Sequence, residues 1–187
     1  MKLFIGCSSR NEIPQKYFDD CKNYLEEIFK EENDLIFGAS INGLMGLSYE
    51  LAKKHNRETI GICPVAYKDD LLDLNCTTEI LTNTISERTD KAIELSDAII
   101  ILPGGIGTIY ELLTAIECKR SREFDKPIII YNSNNFYDKM IDFFEKIYIE
   151  QFGTLNIKDC YYITKSAEDT INYLNEFKVV KKSRCQK

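Results

Sequence analysis

Short apolar runs alternate with amphipathic stretches along the whole chain. Residues 2–6, 34–38, 59–63, 79–81, 97–102, 127–131 and 161–163 read as strands. Residues 14–32 carry Tyr17, Phe18, Cys21, Leu25, Ile28 and Phe29 at helical spacing, which predicts a helix. Further helices are expected over 44–55, 85–95, 110–119, 136–151 and 168–177. The strand runs are continuously apolar rather than alternating, as they are when helices cover both faces of a sheet. Strand and helix in turn predict an α/β fold: a single doubly wound, Rossmann-like domain over residues 1–177, with a parallel sheet of six to seven strands. Residues 178–187 are expected to form a basic, disordered tail. No internal repeat or low-complexity segment interrupts the pattern.

Composition narrows the function classes. With 44% hydrophobic and 29% charged residues in 187, the chain is neither a disordered one nor a bilayer-spanning one. The net charge is −6, and the final ten residues hold basic side chains and no acid, so the body is more acidic than the total suggests. Such a body is a poor polyanion binder, so no nucleic-acid partner is expected, and no membrane partner either. The seven cysteines form no Cys-x-x-Cys pair and there is one histidine, so no metal site is expected. That histidine, His55, reads as part of an exposed helix end. The opening apolar run is too short for a signal peptide, and with reduced thiols this predicts a cytoplasmic protein.

In doubly wound sheets, ligands sit at the carboxyl ends of the strands, near the switch in strand order. Residues 102–111 carry the strongest signal: a buried strand enters Pro103-Gly104-Gly105-Ile106-Gly107-Thr108, which opens into a helix. Glycines let backbone approach a ligand, and free N–H groups at a helix start suit a phosphate, with Thr108 adding a hydroxyl. No Gly-Lys-Ser/Thr follows, and Tyr110 stands where a dinucleotide fingerprint has its third glycine. A mononucleotide or sugar phosphate fits better than NAD. Thr108 and Glu111 have capping-box spacing, so on the residues alone Glu111 is either a helix cap or a functional carboxylate. Residues 38–46 and 86–91 are individually bland, and Gly6-Cys7-Ser8-Ser9 adds hydroxyls to the same crevice. Cys7 has no basic partner that would make it a nucleophile.

Taken together, these segments resemble the LOG ("lonely guy") family, cytokinin riboside 5'-monophosphate phosphoribohydrolases whose bacterial relatives are often labelled lysine decarboxylases. The family's Pro-Gly-Gly-x-Gly-Thr-x-x-Glu stands here at 103–111, and its preceding helix arginine is Arg88. Its Gly-Leu-Met-Gly is residues 43–46. The resemblance implies hydrolysis of the N-glycosidic bond of a nucleoside 5'-monophosphate, of AMP or cytokinin riboside type, to free base and ribose 5-phosphate. It implies Arg88 and Glu111 as the catalytic pair. It also implies Gly104, Gly105, Ile106, Gly107 and Thr108 as the phosphate clamp, with Ser8, Ser40, Met45 and Thr89 as further substrate contacts. No cofactor is implied; a homodimer is. This chain departs from the family at Ala39 and Ser40, which replace glycines, at Thr89 for a lysine, and at Tyr110 for an acidic residue. The alternatives are a nucleotide-binding or sensing protein without turnover, and a ribosyl transferase.

Overall fold

In the computed structural model, which describes residues 1–68, 74–153 and 157–185, the chain begins at the centre of its own sheet. Strand β1 (Lys2–Gly6) pairs in parallel with β2 (Asp34–Phe37) on one side and β5 (Ala98–Ile101) on the other. From β2 the sheet grows outward through β3 (Thr59–Pro64) to β4 (Thr78–Thr82). From β5 it grows the other way through β6 (Ile128–Tyr131) to β7 (Tyr162–Thr164). The order is therefore β4-β3-β2-β1-β5-β6-β7, seven parallel strands among the described residues, with the switch between β1 and β5. The expected sheet is present, and each expected strand lies within it.

Six helices, again among the described residues, cover the sheet: α1 (Gln15–Lys30), α2 (Gly43–Lys54), α3 (Ile85–Leu95), α4 (Ile106–Arg120), α5 (Asp138–Ile149) and α6 (Ala167–Cys185). Successive side chains of a strand point to opposite faces, so each continuous apolar run feeds two cores. Leu3 and Ile5 of β1, with Ala98 and Ile100 of β5, pack with Leu25 and Ile28 of α1 and Leu44 and Leu51 of α2. Phe4, Ile99 and Ile101 face the opposite way, against Ile93 of α3, Leu112 and Ile116 of α4 and Phe144 of α5. This two-sided burial is why the strands lack alternation.

Two boundaries differ from expectation by more than two residues, for identifiable reasons. Helix α4 begins at Ile106 rather than 110, because Gly105 is extended (φ −88°, ψ −157°) and the Ile109 N–H closes on its carbonyl at 3.0 Å. Gly107 costs little there, since the first turn has few intrahelical hydrogen bonds to weaken. Helix α6 runs past residue 177 to Cys185, through sequence with no Gly or Pro to stop it, so most of the expected tail continues the helix. Residues 186 and 187 of that tail lie outside the described residues. His55 caps α2 as expected but is half-buried, its Nε2 2.6 Å from Oε2 of Glu26 on α1.

The start of α2 is folded onto the loop before it. A Cβ on Gly46 would lie 2.0 Å from the Ile41 carbonyl oxygen, an impossible contact with backbone. Glycine to alanine within a helix ordinarily adds up to about 1 kcal/mol. At Gly46 the sign inverts: Gly46→Ala is expected to cost more than about 2 kcal/mol in urea denaturation, by forcing the 38–43 loop away. A neutral or stabilising result would show that the loop is not seated there.

Candidate active site

The switch between β1 and β5 is tied shut at its carboxyl end. Leu102 N–H donates to the Gly6 carbonyl at 2.9 Å, and Ser8 N–H to the Pro103 carbonyl at 3.1 Å. Segments 6–9 and 102–105 therefore run side by side beyond the last paired strand residues. The Ser8 carbonyl also accepts from Met45 N–H at 3.1 Å, which draws in the start of α2. Gly43 makes this approach feasible: its φ is +61°, and a Cβ would lie 2.7 Å from the Ser8 carbonyl oxygen and the Arg10 nitrogen.

Helix α3 delivers Arg88 and α4 delivers Glu111. The start of α3 is fixed by a reciprocal cap: Glu87 N–H donates to Thr84 Oγ1 at 3.1 Å, while Asn83 N–H donates to Glu87 Oε2 at 2.7 Å. The capping glutamate is thus Glu87. The cap reading of Thr108 and Glu111 is overturned, because the N-cap of α4 is Gly105 and Glu111 lies in the second turn. Glu111 faces inward, 2% exposed, and accepts from Arg88 Nη2 at 2.5 Å. Two glycines make room for the pair. A Cβ on Gly6 would sit 2.8 Å from Glu111 Oε2, and one on Gly38 would sit 3.0 Å from Arg88 Nη1. Burial pushes the Glu111 carboxyl up to about 7, outweighing the downward pull of the Arg88 charge.

One turn before Glu111, Gly105, Ile106 and Gly107 are exposed. A Cβ on Gly105 or Gly107 would meet nothing within 4 Å, and neither has a positive φ. The fold itself therefore does not require glycine at either position. What the missing side chains leave is open backbone at a helix N-terminus, where the first N–H groups lack intrahelical acceptors. Thr108 is buried against Gly104, whose added Cβ would fall 2.1 Å from Thr108 Oγ1.

The remaining candidates divide. Ser8 and Ser40 lie on the loops that meet at the site, both nearly buried, their hydroxyls accepting from Arg10 N–H at 3.1 Å and Asn42 N–H at 3.2 Å. Met45 is buried, and a Cβ on Gly38 would lie 3.3 Å from its sulfur, next to Arg88. Thr89 is not brought to the surface: it is fully buried and its hydroxyl donates to the Ile85 carbonyl within α3. Ala39 holds a φ of +54°, the left-handed region that a glycine would enter without strain. Burial raises the Cys7 thiol well above its ordinary range, the opposite of an activated nucleophile. Among the described residues, no three His, Cys, Asp or Glu side chains gather where a metal ion could be held, and no helix is long and apolar enough to cross a membrane. The segments that begin at Gly6 and Gly38 stand out in the sequence as strand ends near the site, but the room these two glycines make for the Arg88–Glu111 pair does not, and Tyr137 reads simply as one apolar position of a helix.

Comparison with known proteins fits this geometry. The family model described as "possible lysine decarboxylase" matches residues 45–175. A cytokinin riboside 5'-monophosphate phosphoribohydrolase of Arabidopsis thaliana is 28% identical, over 94% of this chain and 82% of its own. A second Arabidopsis relative, named as a probable enzyme of that activity, is 33% identical over 80% of this chain and 75% of its own. In fold, the chain is similar to a molybdenum cofactor binding protein from Rippkaea orientalis (TM-score 0.69, 19% identity, 94% of this chain and 96% of that one). It is also similar to a molybdenum cofactor carrier protein from Chlamydomonas reinhardtii (TM-score 0.67, 15% identity, 94% and 96%). Since the matched span holds both Arg88 and the whole glycine turn through Glu111, the chain belongs to the LOG family.

Proposed function

We propose that this protein hydrolyses the N-glycosidic bond of a nucleoside 5'-monophosphate, releasing free base and ribose 5-phosphate. The observation that carries the reading is the Arg88–Glu111 pair, nearly out of water at the sheet's switch point, one turn from the open helix start at 105–107. Departure of the base leaves positive charge on the ribose ring. An ionised Glu111 beside that ring stabilises the charge and orients the attacking water, as carboxylates do in glycoside hydrolysis. Arg88 holds the carboxylate in place and favours its ionised form. The N–H groups at the start of α4 take the 5'-phosphate, so that binding remote from the bond positions the bond.

The same helix suggests how the protein assembles. Ile106, Tyr110 and Leu113 fall on one face of α4 and are 83%, 37% and 45% exposed, a stripe that ordinary surface helices do not carry. Ile85 at the start of α3 is also exposed, and Ser86 Oγ lies 2.7 Å from the Tyr110 hydroxyl, so the stripe continues across two helices. We infer that a second copy of the chain covers it.

Three measurements test these readings. Incubation with AMP, GMP, CMP, UMP and adenosine, followed by chromatography, should release base from a monophosphate and none from adenosine. Glu111→Gln should lower that turnover by about 10²–10³-fold while nucleotide still binds. Binding without release in the parent would favour a carrier or sensor instead. The rate should rise with pH as Glu111 loses its proton, with a midpoint near 7. Arg88→Ala removes the charge that favours the carboxylate and should move that midpoint upward; a downward or absent movement would contradict Glu111 as the titrating group. Finally, Leu113→Glu should convert a dimer to a monomer in analytical ultracentrifugation, and a parent already monomeric at micromolar concentration would refute the assembly.

A further inference from the structure

A buried tyrosine needs a hydrogen-bond partner for its hydroxyl, and almost any carbonyl would serve. Tyr137, 2% exposed, has a more particular arrangement. Its hydroxyl donates to the Leu102 carbonyl at 2.8 Å, reaching from another connection into the turn that opens α4. The next residue, Pro103, has no N–H of its own to brace the turn. Leu102 is the first residue past the end of β5; its N–H still donates to the Gly6 carbonyl, and its own carbonyl takes the tyrosine hydroxyl.

The tyrosine is itself held from outside the turn. Its N–H donates to Asn132 Oδ1 at 2.8 Å, and Asn132 Nδ2 donates to Asp138 Oδ1 at 2.7 Å. Asn132 N–H in turn donates to the Thr164 carbonyl at the end of β7, at 2.9 Å. The Phe136 ring stands edge-on to the Tyr137 ring, with centroids 4.8 Å apart. The hydroxyl is thus fixed by the β6–α5 connection and projects beneath the neighbouring β5–α4 turn.

We propose that Tyr137 is the positioning residue of the phosphate-binding turn, its hydroxyl bracing the Leu102 carbonyl so that the N–H groups of 105–108 converge on the ligand. This rests on the reading of that turn as a phosphate site. Thr108 is seated on Gly104, two residues past the braced carbonyl.

Tyr137→Phe keeps the ring and its packing and removes only the hydroxyl. Ribose 5-phosphate, titrated calorimetrically well below the melting temperature, should bind roughly tenfold more weakly to the variant, the size expected for one lost buried hydrogen bond. The pH midpoint of turnover should stay where Glu111 sets it, because the chemistry end of α4 is untouched. A purely structural tyrosine would lower the melting temperature and leave the affinity unchanged, and that result would overturn the proposal. If Tyr137→Phe fails to fold, Asn132→Ala, which removes the anchor of the tyrosine backbone, should weaken ribose 5-phosphate binding in the same direction, and an unchanged affinity would overturn the proposal. If the unsubstituted protein binds no ribose 5-phosphate at all, the phosphate reading fails and the proposal with it.

Discussion

A carboxylate that is 2% exposed is a costly thing to fold around. Taking a charged group out of water costs several kcal/mol unless it is paired and hydrogen-bonded, and even then the attraction seldom does more than break even. Much of the geometry around Glu111 follows from that constraint. Arg88 must arrive from a different helix at hydrogen-bond distance, so the start of α3 is fixed by the Thr84–Glu87 cap rather than left to fray. The carboxylate and the guanidinium must lie flat on the ends of β1 and β2, so both strands end beside residues without side chains, Gly6 and Gly38. The strand order then sets where this happens. Between β1 and β5 the connections diverge, and the helices on either side of β5 in the chain, α3 and α4, pack on the same face of the sheet.

Placing charge and backbone donors on the same helix resolves a conflict visible in the sequence. A carboxylate three residues from a phosphate-binding turn ought to repel the ligand, and the capping-box spacing of Thr108 and Glu111 gave it an innocent alternative. With the helix starting at Ile106 instead, Glu111 belongs to the second turn and faces inward, roughly 6 Å along the axis from the Gly107 N–H. The donors look out of the helix end while the carboxylate looks into the sheet. On the proposed function, the two groups would address different parts of one nucleotide.

The fold was legible because its signal is repetitive: continuous apolar runs recurring between helical stretches leave few alternatives to a parallel sheet covered on both faces. Boundaries were less so, since glycine lowers helix propensity wherever it stands, and the first turn of α4 contains Gly107 for a reason that propensity does not weigh. The pairing of Arg88 with Glu111 was legible only through resemblance to a family, because no local pattern says that two side chains 23 positions apart will meet. Thr89 shows the limit of carrying a motif across. It follows Arg88 in sequence, and a helix turns successive residues about 100° apart, so Thr89 points into the core. Tyr137 was invisible for a related reason. Its hydroxyl acts in a neighbouring βα unit, which depends on the order of strands in the sheet rather than on spacing along the chain.

The ionisation of Glu111 gives the site its directionality. Before reaction, burial holds the carboxyl up at about 7, so the charged form is only marginally favoured near neutrality. In the proposed reaction, positive charge would grow on the sugar as the base departs, beside a carboxylate that is 2% exposed, and the ionised carboxylate would become the favoured state by an amount that water could not provide. An interaction weak in the ground state and strong in the transition state is what accelerates a reaction, whereas one equally strong in both only tightens binding. Arg88 fits the same logic: it keeps Glu111 ionisable without satisfying it fully. A carboxylate held far below its usual range by stronger pairing would be committed to its partner before the substrate arrived.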